Sequence, residues 1–461
     1  MLPYPARILA YSVRLLVSFA ALLAAPCVVP PAAAQPQRLT MADVVARALQ
    51  SSYQLVAEDS EVAAAQTYLD RSSAWLASNP TITGGGSASD SKFETTLPNN
   101  QQGPTQRFGP AYTFTAEQTF EVAGQRWLRM DVAERGLEAT RYDRRNTEAN
   151  VRAKAKKAFT AALESDAKAE LARRSTTLIQ QINAAFDDNP KSAKERIAFN
   201  SSTMQLHRQQ RRAAHAARER DEAYRQLKRL AGIPLELEVA LIGELESQAR
   251  PLPSLEELRR GLPDRRADVG AYRSLVARSE AELALAKRSA IPDVSVFGFI
   301  TRFDGGNDTE TSGGGSLGVT LPVFQGNGPS IADAVSEAQR ARAELDDLLQ
   351  LVDTNLVTAY ANARDAAENL EVARHEILPR ARENVELQAK RARQGEIASY
   401  DVVDYDLELV SAEEELATAR RIYTDALIDL EEAAALPLVG ADDSVAAPQN
   451  AGATGEGDSQ K

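Results

Sequence analysis

The residues of this chain able to do chemistry are few, and their spacing suits a charged lining better than a reaction centre. The segment Gly395-Glu-Ile-Ala-Ser399-Tyr-Asp401-Val-Val-Asp404 sets two carboxylates three residues apart, which shares one face of a helix. Repeated around an axis, Asp401 and Asp404 would form stacked rings that concentrate cations and repel anions. The plainer reading is two acids near a helix N-terminus, where the backbone dipole favours them. His207 and His215 lie on a basic stretch with Arg208, Arg211 and Arg212, which disfavours a bound cation, and His375 sits beside Glu376. Met41, Met130 and Met204 are scattered, so no metal or cofactor set emerges. There is no nucleophile–base pair, and Gly313-Gly-Gly315 lacks the strand-then-helix setting of a phosphate loop. These patterns argue against an enzyme.

Composition narrows the class further. The chain has 461 residues, 26% of them charged, with a formal net charge of −12. That acidity argues against nucleic acid or an anionic membrane surface as partner. Cys27 is the only cysteine, so no disulfide forms within the chain. Arg7 and Arg14 precede an apolar run from Leu15 to Ala25, and Pro30-Pro-Ala-Ala-Ala34-Gln follows. This reads as a secretory signal peptide over residues 1–34, cut after Ala34. An uncleaved anchor and a lipid on Cys27 are the alternatives, the second opposed by Pro26. Beyond this segment no apolar run approaches the roughly 18 residues of a spanning helix. A membrane crossing by the mature chain would have to be a β-barrel.

The elements that must position Asp401 and Asp404 come in two similar halves, residues 35–252 and 253–438, offset by about 214 residues. Each reads helix, strand, Gly/Ser/Asn/Asp-rich loop, strand, long helix and return helix. Thr40 with Asp43 and Ser254 with Glu257 have capping-box spacing at the two starts. The opening helices run from Leu39 to about Asn79 and from Pro253 to about Ile291. Alternation predicts strands at Thr81–Gly85, Ala111–Val122, Asp293–Ile300 and Ser316–Val323, with Asp304, Asp308 and Glu310 in a wet loop. Four strands cannot close a useful barrel, so a barrel would need several chains. Long helices at Gly124–Phe186 and Pro329–Gln394 would each run roughly 95–100 Å. The second carries an apolar heptad seam from Val335 to Ile377 that only Arg342 interrupts, and the return helix continues it from Leu409 to Ala433. Pro379 should kink the long helix. Asn189-Pro190 marks the first-half turn, and residues 439–461 read as a disordered acidic tail.

This order of elements resembles the TolC-like outer-membrane factor family. Gln118-Thr-Phe-Glu121-Val-Ala-Gly124-Gln-Arg126 is similar to the strand-to-helix joint of its heavy-metal, CzcC-type branch. Leu321-Pro322-Val-Phe-Gln-Gly326-Asn resembles the second-half joint, and Ala290-Ile-Pro292-Asp-Val the helix-to-strand corner. The resemblance implies a mainly α fold with a small β part. It implies a homotrimer whose long coiled-coil helices form an α-barrel, and whose four strands per chain close a 12-stranded barrel in outer-membrane lipid. It implies a periplasmic adaptor and an inner-membrane RND-type pump as partners, with heavy-metal cations as cargo. Drugs and secreted proteins are the alternative cargoes, and a soluble extracytoplasmic coiled-coil scaffold is the rival fold role. By resemblance, Gly395 and Ser399 belong to the periplasmic tip turn, and Asp401 and Asp404 match the family's pore-narrowing aspartates. The family's aromatic before that glycine is Ala392 here and its basic residue after it is Ile397, while Arg391 and Arg393 stand close by.

Overall fold

The computed structural model describes residues 37–89, 109–184, 192–304, 309–321, 326–394, 396 and 403–439. The first half runs β1 (Gln37–Leu39), α1 (Met41–Ser51), α2 (Tyr53–Ser72), β2 (Thr81–Ser89), β3 (Gly109–Phe120), α3 (Gln125–Ala184) and α4 (Ala193–Leu230). There follow β4 (Val239–Leu241), α5 (Leu255–Arg259), α6 (Leu262–Arg265), α7 (Ala267–Arg288), β5 (Val294–Asp304) and β6 (Thr309–Val319). The chain ends with α8 (Gly328–Val372), a π-helical turn at Ala373–Ile377, α9 (Leu378–Arg393) and α10 (Val403–Ala434).

Both capping boxes form. The Thr40 hydroxyl accepts from the Asp43 amide at 3.2 Å while the Thr40 amide donates to Asp43 at 3.0 Å, and Ser254 and Glu257 repeat the exchange. Bonds from these caps hold the Asp43 and Glu257 carboxyls below their ordinary values. The opening helices are more broken than the pattern predicts. Leu39 is strand, because β1 pairs in parallel with β4 in the register Leu39↔Leu241, and a second break falls at the extended residue Ser52. In the second half, left-handed Gly261 separates α5 from α6, whose first turn holds Pro263, and the extended residue Arg266 separates α6 from α7.

The four longer strands form one antiparallel sheet in the order β2-β3-β5-β6. Register places Ile82, Tyr112, Phe114, Val296, Ile300, Leu317 and Val319 on one exposed apolar face. The opposite face is Thr- and Ser-rich, with Thr113–Thr301 and Thr119–Ser295 hydroxyl pairs at 3.1 Å. The strands outrun their alternating cores: Gly313–Gly315 lies inside β6 rather than in a loop, and Asp304 and Glu310 are strand residues. Asp308 lies outside the described residues. A glycine tract hides strand periodicity, but its neighbours exploit the space. A Cβ at Gly314 would meet the Phe299 ring at 2.9 Å.

The helices carry the core. α3 alone has 60 residues, about 90 Å at the standard rise. Much of the expected seam is buried: Val352, Leu356, Ala359, Ala363, Ala366, Leu370 and Ala373 pack with Ala412, Leu416, Ala419, Tyr423, Ala426, Leu430 and Ala433, while Leu345 and Leu349 are half-buried. Alanine at these positions lets the two backbones approach closely. Arg342 leaves the seam to pair with Glu280 of α7 at 2.5 Å. The π turn sits just before Pro379, which occupies the first turn of α9 where a missing N–H has no helical partner to lose. The expected defect is therefore absorbed as a widened turn.

A different chemistry joins α3 to α10. Lys156 pairs with Glu431 at 2.6 Å, Thr160 donates to Asp425 at 2.6 Å, and Arg421 pairs with Glu164 at 2.6 Å. Lys157–Asp429 and Arg174–Glu413 complete an antiparallel polar ladder. Burial pushes the Asp425 carboxyl up, against the opposing pull of the Thr160 hydroxyl and the Arg421 guanidinium. An acid raised in the fold stabilises below its ordinary value, and that contribution disappears as pH rises through the folded value. Thermal melts of the detergent-solubilised protein should therefore show Asp425→Asn flattening the decline as pH rises through and above the ordinary carboxylate range. Parallel wild-type and variant curves across that range would contradict it.

Candidate functional site: the strand–helix corners and the far helical turn

The corner after β3 is built by its own motif. Gln118 donates from Nε2 to the Ser78 carbonyl at 3.1 Å and the Thr119 carbonyl at 2.8 Å. Glu121 pairs with Arg129 at 2.8 Å, and burial pushes its carboxyl up while Arg129 pulls it down. Gly124 turns the chain at φ +78°, and α3 starts at the next residue. Arg126 donates through Nε and a terminal nitrogen to the Ser73 carbonyl at 3.0 and 2.7 Å, fixing the end of α2. Gln125, which the sequence reading passed over, is buried and accepts from the Ala123 amide while donating to Asp293 at 2.9 Å. That bond ties this corner to the one where the turn after α7 passes through Pro292 and β5 begins.

The second-half joint is only partly described, since Pro322 lies outside the described residues. Gly326 has open space around a would-be Cβ and no left-handed φ. Its neighbour Asn327 donates to the Ala286 carbonyl at 2.5 Å and locks α8 to α7. The two glycines thus differ. Gly124→Ala should cost about 1–2 kcal/mol of backbone strain, because its φ of +78° is left-handed even though no atom lies within 4 Å of its would-be Cβ, whereas Gly326→Ala should be near neutral. Melting midpoints of the two variants check this; equal shifts would refute it.

Around the corners the surface changes character in order. α2 and α7 finish with Arg71, Lys287 and Arg288 in their last turns. Next come the two tryptophans of the chain, Trp75 and Trp127, 72% and 66% exposed. Trp75 meets Phe120 edge-on at 5.8 Å, and the Arg126 guanidinium lies 5.2 Å from the Trp127 ring. Beyond them begins the apolar sheet face. No spacing rule in the sequence marks these two rings.

At the other end, Gly395, Ser399 and Asp401 lie outside the described residues, as does the first-half turn at Asn189-Pro190. Asp404 is exposed in the first turn of α10. Arg391 pairs with Glu396 at 3.2 Å across the end of α9. Nearby, α10 reaches both neighbours through Arg174–Glu413 and Arg212–Glu414. Burial pushes the Asp406 carboxyl up, with Arg174 opposing. Each histidine pairs along its own helix: His207 with Gln210, His215 with Glu219, His375 with Glu371. Among the described residues no His, Cys, Asp and Glu group is disposed to hold a metal, and no helix is long and apolar enough to cross a membrane.

This architecture is that of solved outer-membrane channels. Residues 261–436 match the outer membrane efflux protein family. The fold is shared with a membrane protein from Pseudomonas aeruginosa at TM-score 0.69 and 17% identity, covering 86% of this chain and 92% of that one. It is shared with the Campylobacter jejuni CmeC outer membrane channel at TM-score 0.69 and 15% identity, covering 86% and 85%. The open state of the Neisseria gonorrhoeae MtrE outer membrane channel aligns at TM-score 0.69 and 16% identity, covering 86% and 89%. No curated protein sequence matches the chain.

Proposed function

We propose that this chain is one subunit of a trimeric outer-membrane efflux channel, receiving cargo from a periplasmic adaptor and an inner-membrane RND-type pump. The observation that carries this reading is the four-stranded antiparallel sheet, apolar on one exposed face, polar on the other and open at edges β2 and β6, set on helices of about 90 Å. A lone sheet with that face and two free edges is an aggregation hazard in water, whereas edge-to-edge closure of three copies removes both liabilities. The order basic helix ends, exposed tryptophans, apolar strands is the order of a headgroup boundary.

In this reading residues 1–34 export the chain, and 35–252 and 253–438 are two copies of one structural unit, a division supported by the paired capping boxes. Gln118, Glu121, Gly124, Arg126, Pro292, Pro322 and Gly326 shape the joints where strand becomes helix. Gly395 and Ser399 form the periplasmic turn. Asp401 and Asp404 line the constriction, so the cargo is cationic, and the corner resemblance favours heavy-metal ions. The protein acts as a conduit and catalyses no reaction.

Reconstitution into phospholipid vesicles tests the placement, because all intrinsic tryptophan fluorescence comes from Trp75 and Trp127. Bromine near the lipid headgroup should quench strongly, and bromine near the acyl terminus weakly. Full quenching by aqueous iodide with no effect of brominated lipid would overturn the membrane reading.

A further inference from the structure

The polar face of the sheet carries three side chains that a water-filled duct has no use for. Register places Phe297, Phe299 and Phe303 of β5 on the Thr- and Ser-rich face with Thr113, Thr115 and Thr301. The first two rings lie 6.1 Å apart, and Phe299 is 38% exposed. Phe299 has a structural occupation, since it covers the bare backbone of Gly314. Phe297 and Phe303 have none of that kind: their cross-strand neighbours are Glu117 with Ser316 and Ala111 with Glu310. Each of these two rings therefore has a carboxylate directly across the ladder, at the roughly 5 Å Cβ separation of paired strand residues. Among the described residues this face has no Lys or Arg. Arg302, the single cation of the four strands, falls on the apolar face in register with Tyr112.

A ring beside a carboxylate is the chemistry that holds an amphipathic organic cation, whose charge meets both the acid and the ring's negative face while its apolar body covers the phenyl groups. A bare metal ion gains nothing from phenylalanine. We infer that the β-end of the duct contains a binding strip for amphipathic organic cations, formed by Phe297, Phe299 and Phe303 with Glu117. This rests on the channel reading for which face looks inward. It adds a cargo class at the exit that the two aspartates of the far turn do not distinguish. Phe297 to Phe303 spans about 20 Å of strand, so a cation leaving the duct would pass from one ring to the next.

Single-channel recording of purified trimer in planar bilayers tests it, with tetraphenylphosphonium added on the strand-loop side so that it need not pass the helical constriction. Wild-type potassium conductance should fall on addition, with sodium at the same concentration inert. F297L/F303L keeps apolar bulk and should raise the half-blocking concentration about ten-fold by removing two cation–π contacts. Glu117→Gln should raise it about three-fold, the worth of one partly exposed charge pair. Equal block of wild type and both variants would overturn the strip. A conducting wild type that tetraphenylphosphonium never blocks would sink the strip alone, and a wild type without conductance would sink the channel reading beneath it.

Discussion

Lys156→Met should lower stability by about 3–5 kcal/mol, the loss seen when one partner of a buried ion pair is removed. Lys156 is 8% exposed on α3 and donates to Glu431 at 2.6 Å and to the Val439 carbonyl at 2.8 Å. Glu431 in turn accepts from the amides of Leu438 and Val439 at 3.2 and 2.9 Å. One ion pair thus joins α3 to α10 and clasps the segment after α10 against both. Taking away the lysine leaves a buried carboxylate with only two amides to balance it. The companion K156M/E431Q removes the stranded charge while keeping an acceptor for those amides, so it should recover at least half of the loss. Thermal or denaturant midpoints of detergent-solubilised protein measure both. A single variant within about 1 kcal/mol of wild type, the worth of a surface pair, would show that the clasp is solvated and contradict the account.

The second large effect concerns ion selectivity. D401N/D404N should lower the cation-over-anion permeability ratio of the reconstituted channel by about ten-fold, the lower end of the ~10–10³ enrichment that a charge-lined cleft produces. Asp404 is exposed at the start of α10, as a lining residue must be. Were the two acids only helix-terminal residues, their loss would cost stability of about 0.3–1 kcal/mol each and leave selectivity unchanged. Reversal potentials in a salt gradient separate the cases. An unchanged reversal potential in a folded variant would remove both aspartates from the constriction.

What the sequence makes legible is whatever repeats with a period. The seam from Val352 to Ala373 and its partner on α10 are buried as the heptads require, because 3.5-residue spacing is a property of one helix read along its length. The strand centres alternate for the same local reason. Strand ends do not, since Gly313–Gly315 has no side chains to alternate and its place in β6 is decided by β5 alongside. β1 and β4 are three residues each, too short for any pattern, and depend on a pairing across 202 positions. Lys156 and Glu431 stand 275 residues apart, and on its own helix each resembles a solvated charge. The Gln125–Asp293 bond crosses 168 positions between two corners that the sequence shows only one at a time. Pro379 was legible as a disturbance, but its form, a π turn one step earlier, depends on how α8 and α9 pack against α10. Contacts between residues far apart in sequence are thus what one-dimensional reading misses, and at this site they do the positioning.

The central claim is that several copies of this chain share one membrane barrel. The native mass of the mature protein, extracted from outer-membrane fractions in mild detergent, tests it most directly. A stable species near three chain masses, falling to one on boiling, is the predicted result. A protein recovered as a monomer or dimer in the aqueous fraction without detergent would contradict the channel and leave a soluble helical scaffold in its place.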